Sequence, residues 1–121
     1  WCEGRLMLRG DIRLVDLNPS LPGEANKRRP AVIVSTDGAN TAASELGRGV
    51  VTNVPVTSTV EHTYQFQVFL PATESGLNRD SKAQAEQVRA MSVRRVSDRL
   101  GRVSAALMLD LDEALRLHLA L

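Results

Sequence analysis

Two parts of the sequence combine residue types suited to chemistry at a phosphate. Glu24 and Arg29 lie in a polar segment that follows a first predicted strand, and Thr57 and Ser58 follow an apolar run. A guanidinium and a hydroxyl suit phosphoryl transfer, because in-line attack places negative charge on oxygens bound to phosphorus. In RNA the adjacent 2′-hydroxyl can attack, so the protein need supply neither nucleophile nor metal. On residue types alone, a turn-forming Thr57-Ser58 pair and a solvated Arg29 are open alternatives.

Other common catalytic arrangements are missing from the sequence. Only His62 and His118 could act as histidine acids or bases, and His118 falls on the predicted terminal helix beside its apolar stripe. No H-E-x-x-H, G-x-S-x-G or glycine-rich phosphate loop occurs, and no residue spacing predicts a metal site. The single Cys2 rules out an intramolecular disulfide and a cysteine-based zinc cluster. We therefore expect neither a metal nor another cofactor.

Composition favours a small globular protein with an uneven distribution of charge. The 121 residues are 43% hydrophobic and carry a net charge of +1, and most of the 15 basic residues are arginines. The arginines cluster at residues 28–29 and 79–102, which is consistent either with solvated surface or with a phosphate-facing strip. Four aromatic residues are too few for a multi-ring base-stacking sheet. Because no apolar stretch is long enough to span a membrane and no leader is evident, a cytoplasmic location is expected.

Short strands separated by turns are the predicted elements that position these residues. Apolar runs and alternation predict strands over residues 12–17, 31–34, 50–56, 64–70 and 99–103. A short helix is predicted over residues 39–46, with Asp37 as its cap and Gly47 or Gly49 at its end. Residues 82–89 have helical propensity but no helical stripe. Pro55 suggests an edge strand or a bulge.

The C-terminal element is the clearest helix, because leucines recur every fourth residue after Ser104, its predicted cap. Together the elements predict an α+β fold built around a small barrel or curled sheet. Residues 1–6 have no clear pattern, and Met7 is a plausible natural start, so we expect them to be upstream or processed sequence. Residues 7–121 then form a single domain.

Five segments, in order, resemble the MazF/PemK-type mRNA interferase toxins. They are residues 8–19 (LRGDIRLVDLNP), 23–35 (GEANKRRPAVIVS), 54–58 (VPVTS), 64–68 (YQFQV) and 80–89 (DSKAQAEQVR). Each segment is short, but their order along the chain extends the resemblance to the whole domain. The resemblance implies an SH3-like, antiparallel β-barrel with a C-terminal helix. It also implies that residues 80–89 are mainly strand.

The resemblance further implies a function. Members of this family are homodimeric toxins that cut single-stranded mRNA at short sequences without metal. They leave 2′,3′-cyclic phosphate and 5′-OH ends, and a cognate antitoxin blocks them. The catalytic arginine and threonine of the family fall on Arg29 and Thr57, and Glu24 falls on a loop acid near the site. Arg29 would bind the scissile phosphate, Thr57 would donate its hydroxyl to it, and Glu24 would act as a base or hold the loop.

Further RNA contacts are expected at five positions in or beside the matching segments, which are Asn18, Lys27, Arg28, Ser58 and Gln87. Two positions depart from the family pattern: Pro22 precedes Gly23, and Gln65 replaces the common proline. Because both affect loops that shape an RNA groove, the recognition sequence is left open. Two alternatives also stay open, which are a toxin of the same fold that binds a protein such as DNA gyrase and an RNA-binding module without cleavage activity.

Overall fold

The computed structural model describes residues 7–16 and 28–121 of the chain. Most of the chain forms seven antiparallel strands and three α-helices. The strands are β1 (Asp11–Asp16), β2 (Arg28–Ile33), β3 (Val50–Thr57), β4 (Gln67–Leu70), β5 (Ser81–Gln84), β6 (Arg89–Ser92) and β7 (Val96–Arg102). The helices are α1 (Asp37–Leu46), α2 (Ala72–Ser75) and α3 (Ala105–Leu119). Single 3-10 turns follow β5 and β6.

The strands form one sheet in the order β4-β5-β3-β2-β1-β7, and β6 pairs with the first half of β3. The predicted α+β class, with antiparallel strands and a C-terminal helix, is thus confirmed. The sheet is open rather than a closed barrel, since among the described strands no ladder joins β7 to β4. In the described ranges, no helix is long and apolar enough to cross a membrane.

The main core lies between the inner face of the sheet and α3. It is formed by alternating strand residues together with Leu111 and Ala114 of α3, all of them buried. Fully burying an aliphatic side chain of this kind contributes about 2 kcal/mol. Ser104 caps α3 as predicted, because its hydroxyl accepts the Leu107 N–H at 3.2 Å. A second, smaller cluster under α1 contains the buried Met7 and Ile33.

The predicted cap of α1 was wrong, and so was the edge-strand alternative for Pro55. Thr36, rather than Asp37, caps α1 by accepting the Ala39 N–H, while the Asp37 carboxylate accepts the backbone N–H of Arg9 at 2.6 Å. Gly47 ends that helix in the left-handed conformation, as expected. Pro55 is not on an edge strand but in β3, at the point where one side of β3 changes partner from β6 to β5. A missing N–H is tolerated there because the ladder is interrupted.

The remaining differences concern where strands begin and end. Tyr64 lies outside β4, because its carbonyl accepts the Gln67 N–H at 2.9 Å and closes a turn. Within residues 80–89, which the resemblance implies to be mainly strand, residues 81–84 and 89 are strand and residues 85–87 form a 3-10 turn, so that expectation holds for half of the segment. Helix α2 was not predicted. It ends at Gly76, in the left-handed conformation, which packs against Gly101 of β7.

Candidate active site

Arg29 is held at the start of β2 by strand pairing. It lies opposite Val15 of β1, and Pro30, opposite Leu14, follows it in the strand. Its side chain is exposed, while the strand turns inward three residues later at the fully buried Val32. The register therefore fixes the backbone of Arg29 firmly and leaves its guanidinium in solvent at the end of the sheet.

Thr57 is the last residue of β3 and lies on the same side of the molecule. Its Oγ1 accepts the backbone N–H of Thr59 at 3.3 Å. This turn holds the side chain in place and leaves the hydroxyl proton of Thr57 available for another acceptor. Ser58 follows in the same turn. The turn-forming and phosphate-binding interpretations of Thr57 are therefore compatible.

Arg29, Thr57 and Ser58 meet at one cavity of about 260 Å³. Pro30, Val56, Leu77 and Leu100 form its apolar wall. The polar lining is completed by Asn78 and Arg79, from the segment between α2 and β5, and by Ser81, the first residue of β5. None of the described residues that line this cavity is acidic, so two guanidiniums give it a positive potential. Such a lining suits a phosphodiester.

Asn78 and Arg79 were not predicted as site residues. Three hydrogen bonds hold their loop: Ala72 N–H to the Asp80 carboxylate at 2.9 Å, Leu77 N–H to Ser75 Oγ at 3.3 Å, and Ser81 O–H to the Arg79 carbonyl at 3.0 Å. The Asp80-Ser81 pair, which begins the fifth family segment, therefore shapes the loop that presents Arg79. The one available sequence signal was the arginine cluster at residues 79–102.

Two other members of that arginine cluster have structural partners. Arg102 pairs with the buried Asp11 at 2.9 Å, and Arg94 Nε donates to the Gly47 carbonyl at 3.0 Å. Arg79, by contrast, lines the cavity. Of the arginines at residues 79–102, Arg79 is the only one among the described residues that line the cavity.

Two of the other predicted RNA-contact residues, Arg28 and Gln87, are described by the structure and do not line this cavity. Arg28 lies beside it in sequence, but it is exposed and faces Asp16 in the strand register, outside the lining. Gln87 is exposed in the 3-10 turn after β5 and is also outside the lining. Asn18, Glu24 and Lys27 lie outside the described residues.

The fold and the site together define a class of protein. It is a small α+β domain in which an open antiparallel sheet carries a cationic, hydroxyl-lined cavity. The family model of PemK-like, MazF-like toxins of type II toxin–antitoxin systems matches residues 8–119, and the chain belongs to this family. The family predicted from the five segments is therefore confirmed.

Individual relatives agree with this assignment. Endoribonuclease MazF9 of Mycobacterium tuberculosis is 56% identical over 116 residues, which cover 96% of this chain and 98% of that protein. A chain of the MazE–MazF crystal structure (form II) from Deinococcus radiodurans superposes with a TM-score of 0.77 at 24% identity, over 96% of this chain and 97% of that one. An endoribonuclease in complex with its cognate antitoxin, from a mycobacterial species, gives 0.73 at 24% identity, over 95% and 96%. Both structural likenesses support the fold.

Proposed function

We propose that this chain is a sequence-specific, metal-independent endoribonuclease toxin that cuts single-stranded mRNA and leaves 2′,3′-cyclic phosphate and 5′-OH ends. The predicted enzyme class agrees with its relatives, since the 56% identical protein, matched over nearly its whole length, is an endoribonuclease. The observation that carries the proposed chemistry is the convergence of Arg29 and Thr57, 28 positions apart in sequence, on one cavity without described acidic lining.

The proposed reaction is a transesterification within the RNA. The 2′-oxygen attacks the neighbouring phosphorus, the bond from phosphorus to the 5′-oxygen breaks, and the 5′-oxygen takes up a proton. No water or metal enters this step. Negative charge builds on the non-bridging oxygens, and preorganised donors aimed at those oxygens lower the barrier.

Arg29 supplies the planar pair of donors in this scheme. Its guanidinium binds two phosphate oxygens and neutralises the charge that develops on them. The Thr57 hydroxyl, already accepting the Thr59 N–H, donates its proton to a phosphate oxygen. Ser58 and Arg79 contact the same or an adjacent phosphate from the cavity lining. A guanidinium is a poor general base, so we propose that Glu24 removes the 2′-OH proton; the alternative role for Glu24 is to support the loop that carries Arg29.

Asn18, Lys27, Arg28 and Gln87 are proposed to contact the RNA beyond the scissile phosphate. Arg28 and Gln87 are both exposed. We further propose that residues 7–121 act as one domain within a homodimer and that a cognate antitoxin neutralises it, as in the mycobacterial complex. Because its substrate would be cellular mRNA, we place the toxin in the cytoplasm.

Replacing Arg29 or Thr57 tests the proposal. Arg29→Ala and Thr57→Val each remove one transition-state donor, so kcat/KM for a cleaved RNA should fall about 10²-fold or more. Arg29→Lys should recover only part of the loss, because lysine is a point charge without the fork, and Thr57→Ser should recover most of it. Initial rates on an end-labelled RNA provide the measurement.

Matched controls lie away from the cavity. Arg48→Ala removes an exposed arginine from the turn after α1, and Thr41→Val removes an exposed hydroxyl from α1. Both should cleave at the rate of the unmodified protein. Full activity of Arg29→Ala with its fold intact would refute the assigned chemistry.

A further inference from the structure

Three rings cluster in the segment between β3 and β4. The rings of Tyr64 and Phe66 stack nearly parallel, with centroids 5.5 Å apart and an interplanar angle of 7°. His62 packs at a tilt on Tyr64, with a centroid distance of 4.6 Å. Tyr64 is nevertheless 51% exposed, so part of the residue is open to solvent. The proposed cleavage reaction does not use these rings.

Hydrogen bonds hold the turn that presents Tyr64. The Tyr64 N–H donates to Gln67 Oε1 at 3.2 Å, and the Tyr64 carbonyl accepts the Gln67 N–H at 2.9 Å. Gln67, which is buried, donates through Nε2 to Glu86 Oε2 at 2.7 Å. The ring is therefore ordered before any ligand arrives, which reduces the entropy lost on binding.

Strand register connects this stack to Thr57 only through Lys82, which is paired with Thr57 and contacts the Tyr64 ring. Val56, Ala83 and Val68 form one cross-strand row that is buried in the core. Side chains alternate between the faces of a sheet, so the next row, which contains Thr57 and Lys82, faces outward. Directly opposed residues on neighbouring strands have Cα atoms about 5 Å apart.

Lys82 joins that outward row to the rings. Its Nζ lies 5.9 Å from the Tyr64 ring centroid and donates to the His62 carbonyl. Its side chain is largely buried under the segment it holds. Lys82 thus links Thr57 to the Tyr64 ring, because it is the cross-strand partner of Thr57 and makes a cation–π contact with Tyr64.

We propose that the exposed Tyr64 ring, backed by Phe66, stacks an unpaired base of the RNA strand whose phosphate is bound at Arg29 and Thr57. The inference rests on the proposed function and assigns a base-binding position to it. Unpaired bases stack on aromatic side chains, and a half-exposed ring that Lys82 connects to the strand pair of Thr57 offers such a surface. One exposed ring, rather than the multi-ring sheet excluded by composition, is enough to hold one base.

A fluorescence experiment tests stacking without cleavage. The double variant Trp1→Phe, Tyr64→Trp has a single tryptophan, placed at the proposed contact. Titration with a 2′-O-methylated oligoadenylate, which lacks a free 2′-hydroxyl, should quench its emission strongly. An abasic oligomer of the same length and charge should quench it little. Equal quenching by both oligomers, or none by either, would overturn the proposal.

Steady-state kinetics provide the second readout. Tyr64→Ala should raise KM roughly tenfold, as expected for one lost base–aromatic stack, while kcat changes little. Tyr64→Phe keeps the ring and should resemble the unmodified protein. Leu46→Ala, which truncates a 66% exposed side chain at the end of α1, is the control and should leave both parameters unchanged.

The fluorescence and kinetic experiments distinguish failure of the stacking proposal from failure of the proposed function. If the unmodified protein cuts no RNA, the proposed function fails, while base-dependent quenching still decides whether Tyr64 stacks a base. If the unmodified protein cuts RNA but Tyr64→Ala has an unchanged KM, the stacking proposal fails and the proposed function stands.

Discussion

At the residue scale, the cavity combines residues that sequence patterns identify with residues that they do not. Arg29, Thr57 and Ser58 belong to short segments shared with the family and were predicted as a group. Asn78 and Arg79 line the same cavity, yet the one sequence signal near them was that Arg79 begins the arginine cluster at residues 79–102. Their placement depends on how the α2–β5 loop folds over the end of β3, a tertiary contact that residue spacing does not encode.

Arg79 offers a test of whether this unpredicted part of the lining meets RNA. Each phosphate contact on a single strand contributes about 0.7 to the slope of log affinity against log salt. Arg79→Ala should therefore weaken binding of a 2′-O-methylated RNA and reduce the magnitude of that slope by about 0.7. Binding titrations between low and moderate salt measure it.

Arg48→Ala, at the turn after α1, is the comparison for that titration and should leave the slope unchanged. An Arg79→Ala slope equal to that of the unmodified protein would remove Arg79 from the RNA-contact surface.

At the element scale, strand positions followed from the sequence more closely than strand ends did. The apolar alternation of residues 64–70 predicted one strand, but the turn closed by Tyr64 and Gln67 delays β4 until Gln67. The alternation of apolar and polar side chains does not predict a backbone hydrogen bond of this kind. Residues 82–89 show the opposite case, since pairing of β5 with both β3 and β4 overrides local helical propensity.

The first family segment has a structural role in this fold. Asp11, buried to 99%, accepts from Arg102 at 2.9 Å and from the Leu8 N–H at 3.0 Å. Arg9 donates to the Val34 carbonyl at 2.8 Å and pairs with Asp112 of α3. Arg9 and Asp11 therefore tie β1 to β7 and the sheet to α3. In this way a short motif helps to determine the architecture and not the site itself.

The contact between α2 and β7 supports the loop that carries Arg79. A Cβ added to Gly101 would lie 1.9 Å from the Ser75 carbonyl oxygen, whereas one added to Gly38 in α1 would meet nothing within 4 Å. Gly101→Ala should thus lower the free energy of unfolding by about 2 kcal/mol or more. Gly38→Ala should raise it by about 0.5–1 kcal/mol, because alanine favours the helix. Urea unfolding of both variants measures this difference.

The Gly38→Ala variant is the control for Gly101→Ala, because it carries the same type of substitution and is expressed and handled in the same way. If Gly101→Ala were as stable as the unmodified protein, the close packing of β7 against α2 would be wrong. The position assigned to the Arg79 loop would then need revision.

At the scale of the whole molecule, net charge says little about the site. The formal charge is only +1, because acidic residues elsewhere balance the arginines, while the cavity itself is lined by two arginines and by no described carboxylate. Local arrangement therefore determines which ligand the protein attracts. The fold class and the family followed from the order of five segments, whereas the open sheet and the composition of the cavity required three-dimensional structure.

The most direct test of the central claim is digestion of a long single-stranded RNA by the purified, folded protein in EDTA, followed by chemical analysis of the fragment ends. The proposed reaction predicts discrete fragments with 2′,3′-cyclic phosphate and 5′-OH ends, and it predicts none from Arg29→Ala. The sequences at those ends would also define the recognition site. Intact RNA, with the protein free of antitoxin, would contradict the account and favour a toxin that acts on a protein target.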